Sequence, residues 1–61
     1  MPNLSAKELT ALGEQLGGEE MLVSKYTAMA AQATDPKIAQ TFQGIASKHQ
    51  RHYNELKKFL G

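Results

Sequence analysis

The stretch Ala33-Thr34-Asp35-Pro36-Lys37-Ile38 decides the fold. Pro36 disfavours helical geometry in Asp35, so a helix arriving from the N-terminal side must end there or earlier. Proline at the first helical position, behind an aspartate cap, is also a standard way to begin a helix. One short segment, with its turn at 34–36, therefore closes a first helix and opens a second. A connection this short lays the two antiparallel.

Upstream of the turn, Leu4-Ser5-Ala6-Lys7-Glu8-Leu9 reads as a helix start. Ser5 can accept from the amide of Glu8, and the Glu8 carboxylate can reach back to the amide of Ser5, which is the capping box. Leu4 and Leu9 occupy the positions of a hydrophobic staple. From there Leu9, Leu12, Leu16, Glu19, Val23, Tyr26, Ala30 and Ala33 alternate three and four apart, flanked by Leu22 and Met29. That is an apolar seam of heptad type, and it predicts a first helix over about 5–34. At about 100° per residue Glu19 points to the middle of the seam, while Glu20 points about 100° away. Gly17-Gly18 interrupts the pattern, each glycine costing about 1 kcal/mol relative to alanine. The phase survives across the pair, so one helix with a bend is expected, a break being the alternative.

Downstream, Ile38, Phe42, Ile45, His49, His52 and Leu56 form one stripe, closed by Phe59 and Leu60. It predicts a second helix over about 36–60. Measured from Ile38, His49 lies about 20° round and His52 about 40° the other way, so both histidines fall inside the apolar stripe. Lys57 and Lys58 suit the negative end of the helix dipole.

The chain of 61 residues is read as a single all-α domain over 1–61. A domain so short is marginal alone and commonly relies on disulfides, a metal or a partner. There is no cysteine, which excludes disulfides and thiolate metal sites. A two-helix hairpin cannot enclose a core, whereas two copies can do so as a four-helix bundle about a twofold axis. A homodimer is expected. The net charge of +1, with both signs interspersed, gives no electrostatic footprint for nucleic acid. No apolar run approaches the ~20 residues of a membrane span. With no secretory pattern at the N-terminus, a cytoplasmic location is the default expectation.

Glu19, His49 and His52 are ionisable residues placed where apolar ones belong. A buried charge is costly unless it is paired or bound to metal. His49 and His52 stand three apart, one turn along one face. Counting from Asp35, Glu19 lies 16 residues before, and the histidines 14 and 17 after. Rise per residue is equal in both helices, so all three reach one level of the hairpin. These three are the candidate metal ligands, and a twofold axis would double them to two Glu and four His. Such a set suits zinc, iron, manganese or copper.

The pattern resembles the ferritin-like di-iron bundles, which take a Glu from one helix and Glu-x-x-His from the next. Here the second motif is His49-Gln50-Arg51-His52, so a histidine replaces the bridging carboxylate. A ferroxidase or oxygen-activating centre is not expected from that set. A closer resemblance lies in three stretches. They are Glu19-Glu20-Met21-Leu22-Val23-Ser24-Lys25-Tyr26, Asp35-Pro36, and Ile45-Ala46-Ser47-Lys48-His49-Gln50-Arg51-His52-Tyr53. Together they are similar to short spore coat proteins of the CotF-like, ferritin-like group of endospore-forming bacteria. The resemblance covers nearly the whole chain. It implies a ferritin-like hairpin, a role in spore coat assembly, other coat proteins as partners and the spore coat as a location. It implies no catalytic activity.

Two readings of function follow. In the first the chain is a structural or assembly protein, its Glu/His layer a buried polar network that fixes register and partner at some cost in stability. In the second it is a metal-binding bundle, with storage or redox chemistry at the dimer core. Tyr26 reads as a seam residue, with a supporting role beside the site as the alternative. No serine or threonine is placed for a nucleophilic triad, and Gly17-Gly18 lacks the strand context of a phosphate loop. An enzyme is not the favoured expectation.

Overall fold

The computed structural model describes residues 4–61. Two helices account for almost all of it: α1 over Ala6–Gln32 and α2 over Pro36–Lys57, followed by a 3₁₀ turn over Lys58–Leu60. No strand occurs among the described residues. The helices pack along their length as a hairpin, with principal extents of 46 × 16 × 11 Å. This is the all-α hairpin that the turn segment predicts.

Local chemistry sets the ends. The Ser5 amide donates to Glu8 Oε1 at 2.9 Å, and the Glu8 amide donates to Ser5 Oγ at 3.0 Å. The capping box is thus formed, satisfying donors that the first helical turn leaves orphaned. The Ser5 amide, and after it the Ser5 hydroxyl, hold the Glu8 carboxyl below its ordinary value of 4.5. At the turn, Asp35 Oδ1 accepts from the amides of Lys37 at 2.8 Å and Ile38 at 3.2 Å, and Pro36 takes the first helical position. α1 stops at Gln32, two residues earlier than the periodicity suggests. Ala33 is already extended, with ψ 131°, and serves as the C-cap. α2 tightens from α to 3₁₀ geometry at Lys58 rather than running unchanged to residue 60.

α1 continues through Gly17-Gly18 without a break. The apolar seam on either side holds the pair helical despite its unfavourable propensity.

The inside of the hairpin is thin. Among the described residues, only Ala30 and Ala46 are buried apolar residues, and no large side chain is fully buried. The small alanines let the two backbones approach at the crossing. Larger seam residues such as Leu16, Val23, Phe42 and Ile45 are half-buried. Leu9, Ile38, Phe59 and Leu60 are about half exposed and Met21 more so.

The two broad faces differ. One carries a groove of Met29, Ala33, Ile38 and Phe42 near the turn. A second depression on that side, lined by Gln15, Glu19, His52, Glu55 and Leu56, lies nearer the open end. The other face presents Thr27, Ala30, Ala31, Gln43, Ala46 and Ser47, which are small or polar. Helical phase agrees with this division. On α2, Ile38, Ile45, His52 and Leu56 fall within about 40° of one another.

Candidate metal centre

Glu19 is the residue with 13 helical positions on either side of it in α1, Ala6–Gln32. Its carboxylate is directed across to α2, where the two histidines stand one turn apart. His49 Nδ1 is hydrogen-bonded to Glu19 Oε1 at 3.0 Å. His52 Nδ1 lies 3.0 Å from the other oxygen, Oε2. One carboxylate therefore faces two imidazoles, one per oxygen.

Burial grades outward across the group. The Glu19 side chain is 6% exposed, His49 21% and His52 49%. The sequence places both histidines within the apolar stripe. In the single hairpin that stripe is wider than the contact with α1, so His52, on its flank, is left half open to solvent. The level-matching of the three residues holds: the turn brings together side chains 30 and 33 positions apart in the chain.

The rings are fixed by neighbours. Tyr26 stacks on His49, with centroids 6.2 Å apart and planes at 16°. The same tyrosine packs against Phe42 at 5.9 Å. His49 and His52 meet edge to face at 5.6 Å and 85°. Tyr26 is thus a seam residue that also limits the tilt of the His49 ring, as supporting residues commonly do for ligating histidines.

The donor set can hold a metal ion. One ligand atom from each of Glu19, His49 and His52 lies within 4.8 Å of the others. Three atoms no farther apart than that share a point within about 2.8 Å of each, against bond lengths of about 2.0–2.2 Å for zinc to imidazole or carboxylate. Binding one ion would draw the three side chains inward from where they stand. Two histidines and one carboxylate are a donor set found at metal centres that keep an open position. A depression lined in part by Glu19 and His52 borders the group.

Two residues that sequence reasoning passed over border that depression, Gln15 and Glu55. Both were legible as neighbours by helical spacing, Gln15 four before Glu19 and Glu55 three after His52. Glu55 spends its charge on Lys58, 3.3 Å away and fully at the surface. No buried side-chain nitrogen or oxygen among the described residues lacks a partner, so the Glu/His layer is internally satisfied as it stands. No helix of the described residues is long and apolar enough to cross a membrane.

Comparison of the chain with family models, curated proteins and solved structures finds no match.

Proposed function

We propose that this protein is a helical-hairpin subunit that dimerises and binds a transition metal through Glu19, His49 and His52. The observation that carries the reading is the single buried carboxylate with an imidazole nitrogen 3.0 Å from each of its oxygens. Both rings come from the same face of the neighbouring helix. Zinc, iron, manganese and copper all suit this set. The histidine at position 49, where di-iron bundles carry glutamate, favours a simple structural or storage site over oxygen chemistry.

Dimerisation is supported by the thin interior. With two alanines as the buried apolar residues, one hairpin has little hydrophobic stabilisation to set against chain entropy. The test is elemental analysis of protein purified without a histidine tag, alongside thermal melts with each metal. Stoichiometric metal and a raised melting temperature are expected. Protein that carries no metal and gains no stability from any of the four overturns the reading.

A second reading is a spore coat assembly protein, supported by the three stretches that resemble the CotF-like group. The Glu/His layer then acts as a polar layer that selects the partner. A His49→Ala/His52→Ala variant separates the two. Under the assembly reading it changes the oligomeric state with no metal present. Under the metal reading it loses the metal-dependent part of the stability and keeps the oligomeric state.

A further inference from the structure

The stripe that runs along α2 and into the 3₁₀ turn after it reads the same in both directions. Phe42, Ile45, His49, His52, Leu56 and Phe59 are spaced 3, 4, 3, 4 and 3. Any heptad series has symmetric spacing. What the series adds is symmetry of residue class: aromatic, aliphatic, histidine, histidine, aliphatic, aromatic. Its centre falls midway between His49 and His52. The level of that centre is also the level of Glu19, the middle residue of α1.

None of the six is fully buried: Phe42, Ile45, His49 and Leu56 are half-buried against α1, and His52 and Phe59 are about half exposed. The molecule also exposes more surface than its size requires. A compact monomer of this mass, 6.7 kDa, exposes about 3,900 Å², and this one exposes 4699 Å². The excess, about 800 Å², is what one partner contributes to a standard interface. A twofold interface brings the same patch of both copies together, so a patch that is symmetric about its own centre fits itself.

The geometry points to a second copy of this chain docked antiparallel, α2 against α2, with the twofold axis between His49 and His52. The two turns then lie at opposite ends. Phe59 of each copy meets Phe42 of the other beside the groove of Met29, Ala33 and Ile38. Ile45 meets Leu56, and His49 meets His52. Both Glu/His layers reach the axis at one height. This arrangement deepens the dimeric metal-site reading above and rests on its dimer, not on its metal.

The chain has no cysteine, so a Lys37→Cys variant offers one labelling site at an exposed position near the turn. Lys37 is 13.5 positions from the centre of the stripe. Spin labels there stand about 40 Å apart along the antiparallel dimer. A parallel dimer, with helix axes about 8–10 Å apart, brings them within roughly 25 Å. Pulsed dipolar spectroscopy on the full chain reads the difference. A companion experiment mixes Phe42→Cys and Phe59→Cys chains under oxidation, and the unlike pair alone is expected to cross-link. A distance near 40 Å together with the mixed cross-link supports the proposal. A short distance in a chain that sediments as a dimer overturns the antiparallel arrangement and leaves the dimer standing. A long distance without the mixed cross-link moves the interface off α2 and overturns the seam. A chain that sediments as a monomer overturns both the seam and the dimer.

Discussion

A carboxyl group as deeply buried as Glu19 is costly without hydrogen-bond partners, and His49 supplies the more buried of its two contacts. Replacing His49 by alanine leaves one oxygen in an apolar surround and removes the ring that stacks on Tyr26. Orphaning a buried polar group costs about 1–3 kcal/mol. His49→Ala should lose that much in chemical denaturation, and His52→Ala less, since its ring is half in water. Glu19→Leu separates stability from function. Replacing a buried charged group by a packed apolar one is often neutral or stabilising. The variant is expected to melt at or above the wild-type temperature without metal, and to show no melting shift when metal is added. A large loss of metal-free stability in Glu19→Leu would show that the layer is kept for folding.

Each helix exists because its two ends and one face agree. Glycine in the interior of α1 works against that agreement. A Cβ added at Gly17 meets nothing within 4 Å, so Gly17→Ala should raise stability by about 0.4–1 kcal/mol, read as a higher urea midpoint with an unchanged slope. The N-terminal cap gives a pH signature. The Glu8 carboxyl is held below 4.5, chiefly by the Ser5 amide. Its contribution is therefore full above its unfolded value and is lost as pH falls through the lower folded value. Amide exchange at Ser5 and in the first turn should rise in that acidic window, and a Glu8→Gln variant should flatten the response. These ends were legible in the sequence because Ser5, Glu8, Asp35 and Pro36 act on atoms two or three residues away. The shared level of Glu19, His49 and His52 was legible because rise per residue is the same in any α-helix. The exact stop of α1 at Gln32 and the 3₁₀ closure at Lys58 were not. Both depend on small differences in backbone energy at frayed ends. Nor was the half-exposure of His52, because a helical stripe gives direction and not what lies against it.

At the scale of the whole molecule, the proposed dimerisation and metal binding would be linked to folding in one equilibrium. The hairpin is 46 Å long and 11 Å thick, and its shape leaves its larger apolar residues half covered. Metal that binds only the folded form stabilises it by RT ln(1 + [L]/Kd), about 2.7 kcal/mol at a hundredfold excess over Kd. For a domain of this size each kcal/mol moves the melting temperature by about 4–8 °C, so a rise of roughly 10–20 °C is expected. The location of the ion adds a second, sharper expectation. If two layers meet at the twofold axis, metal tightens the dimer, and by reciprocity dimerisation tightens the metal by the same factor. Apparent metal affinity should then increase as the protein concentration is raised through the dimer dissociation constant. Titrations at several protein concentrations, paired with sedimentation at each, measure the coupling from both sides. An affinity that does not change with concentration would place the ion within one hairpin, held by three donors of a single chain, and would remove the twofold axis from the metal site while leaving the site itself intact.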